Sequence, residues 1–298
     1  MLSYVSSALL AATTFAATGK DWGYKQIGAD WGTILDGKYG LCDTGLEQSP
    51  IDLTTDTDIS DKMELKGYNY YDFGNNASAE DVTYTTGFLD EQQRNEAELQ
   101  ITFADGSKSF FTPKQFHFHA PSEHSVDGKL YDAEVHFVHV IKGSGTQDAD
   151  GNITGERYGA VIGVFFDVEE GSATANPFIE SVFQAFDTQG TEDAKKMAVR
   201  DFLGSIDMTD YWSYDGSFTT PPCTEGIKWS VIRQVQSISP EQLERFTSRM
   251  AGDPAFAEGE GNNRIVQPLN QRTLYYSGAT GVVTYAAATM AAIAALFF

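Results

Sequence analysis

The sequence predicts one β-dominated domain over about residues 20–277, with short surface helices. Three observations predict it. Five segments alternate or run apolar in strand fashion: Glu98–Phe103, Lys108–Ala120, Tyr131–Ile141, Tyr158–Val168 and Ile227–Ile238. The 28 glycines are spread along the chain and supply many turns. No linker, internal repeat or low-complexity run divides the middle, and 298 residues suffice to bury a sizeable core.

The two ends read as separate from this domain. Residues 1–17, MLSYVSSALLAATTFAA, are small and apolar and resemble a secretory signal peptide, although a basic start is missing. The stretch from Ala286 to Phe298 is thirteen uncharged residues, too short for a comfortable membrane span. With Ser277, Gly278 and Ala279 before it, the tail at 278–298 has the layout of a glycolipid (GPI) attachment signal. The bland alternative is a short apolar tail that docks elsewhere. The expected location is therefore secreted or at the cell surface, with membrane contact only through a lipid anchor.

Within the domain, turn clusters such as Ala104-Asp105-Gly106 and Gly143-Ser144-Gly145 separate the strands. Two helices carry signals. Asn176–Phe186 places Phe178, Val182 and Phe186 on one stripe, flanked by Ile179 and Phe183. Ser239-Pro240-Glu241-Gln242 reads as a helix start: a capping Ser, Pro at the first position and Gln three residues on. Cys42 and Cys223 are the only cysteines, and in an exported chain an isolated pair forms one disulfide. Closing so long a loop stabilises by roughly 4–5 kcal/mol on the chain-entropy model. Sequons at Asn76 and Asn152 agree with export. The net charge of −22 argues against nucleic acid and anionic membrane surfaces as partners; the plain reading is a solvated acidic surface.

All five histidines fall between positions 117 and 139. Side chains alternate along a strand, so Gln115, His117 and His119 share one face while Phe116 and Phe118 share the other. In "AEVHFVHV", Glu134, His136 and Val138 share a face, and His139 is out of phase with it. Strand parity does not place His124. A hairpin that sets the two strands side by side would bring His117, His119 and His136 together. Three neutral imidazoles with an open fourth position is the ligand pattern of catalytic zinc. Gln115 and Glu134, two residues before ligands on the same faces, can accept the second ring N–H of an imidazole. A single His-x-His would be weak; buried structural histidines are at least as common.

"QFHFHAPSEH", "AEVHFVH", "EQSPID", "YWSYDGSFTTPPCTEG" and "QPLNQR" together resemble the α-class carbonic anhydrases, in order and spacing, over roughly residues 21–275. The resemblance implies a central ten-stranded, largely antiparallel twisted sheet and zinc as cofactor. It implies reversible hydration of CO2 to bicarbonate and a proton. It assigns Thr219 and Glu123 the orientation of the nucleophile, Thr219 donating to Glu123. Thr220 would touch substrate or product, and Val138, Val161, Phe218 and Trp229 would form the apolar wall that receives CO2. The backbone carbonyl of Asn262 would hold the second ligand. His124, Tyr214 and Trp212 match structural positions, and Cys42 and Cys223 match the disulfide of exported members. Without the resemblance, each apolar residue of that wall reads as ordinary core.

The chain departs from the family in one respect. Fast members carry a proton-shuttling histidine partway up the cleft, suited by its near-neutral pKa. No histidine lies in the corresponding stretch, about residues 68–95, which also aligns poorly. Proton release is therefore expected to depend on external buffer. Rival readings are a binding module on an inactive fold, a zinc hydrolase acting on esters, and an adhesion or matrix protein. The full ligand set opposes the first, the narrow apolar wall the second and the absence of repeats the third. The oligomeric state is not legible.

Overall fold

The computed structural model describes residues 21–54, 98–102, 108–141, 159–169, 174–188, 197–251 and 261–277, short strand segments between these, and single positions around 191–195. The two terminal segments, the asparagines of both sequons and most of the 68–95 stretch lie outside the described residues. Seven strands of five or more residues form the body of one large sheet. They are β1 (Lys62–Lys66), β2 (Glu98–Thr102), β3 (Lys108–His119), β4 (Ala133–Ile141), β5 (Gly159–Asp167), β6 (Tyr211–Ser217) and β7 (Glu225–Ser237). Three helices, α1 (Pro177–Asp187), α2 (Val199–Ser205) and α3 (Pro240–Ala251), lie in the second half.

The sheet runs β6-β7-β5-β4-β3 through its centre, with Tyr275–Ser277 and then Asp58–Ile59 beyond β6. Most pairs are antiparallel, but β5–β7 and Tyr275–Ser277 with Asp58–Ile59 are parallel, so the sheet is mixed. The expected ten strands are corrected to eleven segments among the described residues. The difference has a physical source in β3. Its twelve residues outrun any single neighbour on the outer edge. It pairs there with β2 over Lys108–Phe111 and with Thr85–Gly87 at Gln115–Phe116.

Each face of the sheet meets a different environment. One face packs Phe116, Phe118, Val135, Phe137, Ile162, Val164 and Phe166 against the helices through Phe178, Val182, Phe202 and Phe246. Phe178 stacks on Phe202 with ring centroids 4.3 Å apart, and Phe118 meets Phe246 at 4.8 Å. The opposite face carries Val138, Val161, Phe165, Tyr214, Trp229 and Val231. In β5 eight successive residues from Gly159 are buried, as a strand covered on both faces requires.

The helix starts are chemically explicit. The Asn176 side chain accepts from the N–H of Phe178 and Ile179. At α3, Ser239 Oγ accepts from Gln242 N–H at 3.2 Å. Gln242 also accepts from Asn176 N–H at 2.8 Å and donates to its carbonyl at 3.0 Å, tying the two helix starts together. On α1, Phe178, Ile179, Val182 and Phe183 are buried, whereas Phe186 is only half-buried.

Candidate metal centre and its apolar wall

Strand register builds the site. β3 and β4 pair antiparallel with His136 opposite His117 and Glu134 opposite His119. Alternation then puts His117, His119 and His136 on the face away from the helices. One ring nitrogen from each forms a group whose members all lie within 4.8 Å of one another. Past Val138 the register shifts: Val138 faces Gln115 but His139 faces Pro113, so Lys114 is bulged out. His139 stays buried on the other face, with Nδ1 2.9 Å from the Phe137 carbonyl, outside the cluster.

Each imidazole of the cluster has its second nitrogen within 3 Å of an acceptor oxygen. His117 Nδ1 is 2.8 Å from Gln115 Oε1, His119 Nδ1 is 2.7 Å from the Asn262 carbonyl, and His136 Nε2 is 2.9 Å from Glu134 Oε1. These contacts leave Nε2 of His117 and His119 and Nδ1 of His136 to converge. His119 Nε2 is fully buried and has no hydrogen-bond partner, a cost that an ion at this point would remove. Burial and the neighbouring His136 push the His119 pKa down to about 3, so the ring is neutral near pH 7. A convergent set of imidazole N-donors fits zinc. A second group, His124, Glu134 and His136, is close enough to hold an ion. Its atoms instead satisfy one another: Glu134 Oε1 lies 2.8 Å from His124 Nδ1.

Glu134 is the hub of the site. Its Oε2 accepts from the N–H of Glu123 and of His124 at 3.0 and 2.9 Å. Burial works against its ionisation, but His124 and His136 outweigh burial and hold the carboxyl well below the usual range. Room for this carboxylate comes from Gly163, opposite His136 on β5, where an added Cβ would lie 2.8 Å from Glu134 Oε1. His124 continues outward through Tyr214 Oη at 2.7 Å to Ser49 Oγ at 2.9 Å.

Glu123 sits between the cluster and the loop after β6. Its Oε1 accepts from Arg264 N–H at 2.8 Å, and Oε2 is 3.4 Å from His119 Nε2. Burial raises its carboxyl well above the usual range, opposed by a hydrogen bond with Thr219 and by the Arg264 N–H. Thr219 is buried and Thr220 half-buried in the 218–224 loop. That loop is closed by Phe218 N–H to Thr224 O at 3.0 Å and Cys223 N–H to Thr220 O at 2.8 Å. The disulfide joins Cys42 to Cys223 across 181 residues, with Cα atoms 5.1 Å apart. Trp229, Val138 and Val161 are buried in one cluster, with Phe218 packed against it. Trp229 stands 4.8 Å from the His136 ring, centroid to centroid, so the apolar wall adjoins the cluster.

Asn262 clamps the end of β3. Its side chain accepts from Ala120 N–H at 2.9 Å and donates to Phe118 O at 3.0 Å, on either side of the residue its carbonyl holds. Sequence reasoning missed Arg264, Gly163, Ser49 and Ser217, whose Oγ accepts from Ser49 N–H at 2.9 Å. Their partners lie far off in the chain, so no local spacing signals them. Trp212, matched to a structural position, donates Nε1–H to Thr54 O at 2.9 Å, away from the cluster.

Comparison with known proteins agrees over most of the chain. The eukaryotic-type carbonic anhydrase profile matches residues 28–278. A carbonic anhydrase of Pectobacterium carotovorum is 32% identical over 290 residues, covering 93% of this chain and 100% of that protein. Among solved structures, a hyperthermostable carbonic anhydrase from a hydrothermal vent chimney superposes with TM-score 0.59 at 33% identity, covering 86% of this chain and 100% of that one. A halotolerant carbonic anhydrase from Dunaliella salina gives TM-score 0.65 at 26% identity, covering 87% and 98% respectively. The chain belongs to the eukaryotic-type, or α, carbonic anhydrase family.

Proposed function

We propose that this protein is a zinc-dependent carbonic anhydrase that interconverts CO2 with bicarbonate and a proton. The observation that carries the reading is the convergence of three imidazole nitrogens beside an apolar wall and a Thr–Glu pair. His117 and His119 would hold zinc through Nε2 and His136 through Nδ1. When bound, zinc supplies a Lewis acid that makes water nucleophilic near neutral pH.

The chain's own residues do the rest. Gln115, the Asn262 carbonyl and Glu134 fix the ring orientations, so that one nitrogen of each ring would be turned to a shared zinc. Thr219 donates its hydroxyl proton to Glu123, which leaves its oxygen to accept from the reacting water. That aims a lone pair at the substrate carbon, a positioning effect. Val138, Val161, Phe218 and Trp229 exclude water from the place where CO2 lies, and Thr220 meets substrate or product at the loop.

Proton export is expected to be slow without buffer, because every histidine of the chain lies between 117 and 139. Stopped-flow hydration measured across an imidazole buffer series tests this. The rate should climb with buffer; a high rate independent of buffer would reveal an internal shuttle. Thr219→Ala should lower kcat about a hundredfold or less while zinc stays bound; full activity in that variant would remove the orienting role.

The terminal segments and the Cys42–Cys223 bond support export to the cell surface. Release of activity from intact cells by a phosphoinositide-specific phospholipase would support a lipid anchor, and its retention would oppose one.

A further inference from the structure

We infer that the Arg264 side chain is a positioning residue for the reaction, one that couples the Cys42–Cys223 crosslink to the Glu123–Thr219 pair. The inference rests on the CO2 hydration reading and deepens it. Arg264 is 1% exposed and sits at the crossing of several distant segments. Its guanidinium donates from Nη2 to Cys42 O at 2.6 Å, and from Nη1 to Ser49 O at 2.7 Å and Gln48 Oε1 at 2.9 Å. Its own backbone N–H is the one that reaches Glu123 Oε1. Where the guanidinium is gripped therefore decides where that N–H sits.

The contacts close into a ring. Gln48 donates Nε2–H to Cys223 O at 3.0 Å while accepting from Arg264. Cys42 is held by Arg264 directly, and is bonded to Cys223. Cys223 N–H in turn donates to Thr220 O, next to Thr219. Glu123, Arg264, Cys42, Cys223 and the Thr219–Thr220 loop thus form one circuit that fixes both partners of the Thr219–Glu123 hydrogen bond. The pocket for Arg264 is close-fitted. The Trp31 ring lies 5.6 Å from the guanidinium carbon, and a Cβ added at Gly28 would stand 3.0 Å from Arg264 Cγ. Burial lowers the guanidinium pKa to about 10, which still leaves it cationic at neutral pH. A planar fork with several donors suits three carbonyl-type acceptors; a lysine ammonium could not hold all three in this geometry.

Four zinc-loaded proteins test the inference: wild type, Arg264→Lys, the pair Cys42→Ser with Cys223→Ser, and all three changes together. Zinc content and circular dichroism are recorded at 10 °C, and kcat and KM for CO2 hydration by stopped flow at saturating imidazole buffer, where proton export no longer limits the rate. At full zinc occupancy, Arg264→Lys and the cysteine pair should each lower kcat about tenfold, within the roughly hundredfold that a misplacement of about 1 Å can cost. KM should not change, because the apolar wall is untouched. The triple variant should be no slower than the slower parent, since all three changes open one circuit. A kcat for Arg264→Lys within twofold of wild type, or losses that multiply in the triple variant, would overturn the inference. Should Arg264→Lys not fold, Gln48→Leu removes one guanidinium acceptor and the tie to Cys223. A lowered kcat in it supports the circuit, and an unchanged one overturns it. A wild type that binds zinc without hydrating CO2 would instead remove the functional reading, a result distinct from an active wild type with indifferent variants.

Discussion

At the residue scale, the site depends on a carboxylate that several groups share. Glu134 meets His136, His124 and two backbone N–H groups at once, and Gly163 leaves space for it. Gly163→Ala should displace the carboxylate and weaken zinc binding about ten- to hundredfold, the usual cost of losing a ligand's support. Competition against a coloured chelator measures this, and unchanged affinity would contradict it. His139 makes a separate prediction. Burial lowers its pKa to about 4 from the ordinary 6.5. The unfolded chain therefore binds this proton first as pH falls. Stability from this group is complete above pH 6.5 and is lost down to about pH 4, by up to about 3 kcal/mol. Urea titrations of zinc-free protein should show a shallower pH dependence over that window in His139→Leu; parallel curves would contradict the assignment. The common face of His117, His119 and His136 was legible because alternation is a local rule. Gly163 and Arg264 were not, because their meaning comes from contacts across the sheet.

At the scale of elements, β3 carries most of the function. Its inner half meets β4 and presents two of the convergent imidazoles, while its outer half meets β2 and supports the helix-side core. The bulge at Lys114 lets both halves stay in register with β4. Helix starts behave as local chemistry predicts, and the Ser239 capping box was readable from four residues. Asn176 was readable only as part of a helical stripe; its bonds to Ser237 O and Gln242 are tertiary. Asn176→Ala should cost about 1–2 kcal/mol, the upper range for a cap, because both the helix start and that bridge are lost. Chemical denaturation checks it; a loss below about 0.5 kcal/mol would mean water replaces the cap. The strand count was not legible, since segments of two or three residues gain their strand character from neighbours rather than from sequence pattern.

At the scale of the molecule, one long-range bond and one charge balance matter. Removing the disulfide should lower stability by about 5 kcal/mol on the chain-entropy model for a 181-residue separation, less any structure retained in the unfolded chain. The net charge of −22 keeps the surface solvated, and screening by salt relieves its self-repulsion. The folded protein should therefore keep CO2 hydration in molar NaCl; loss of activity without unfolding would contradict this. The most direct test of the zinc-dependent reaction is stopped-flow CO2 hydration by wild type and His117→Ala, each with bound zinc quantified. Wild type should carry one zinc and hydrate CO2, while the variant should lose both zinc and activity. A wild type that holds zinc and does not hydrate CO2, or a variant as active as wild type, would contradict it.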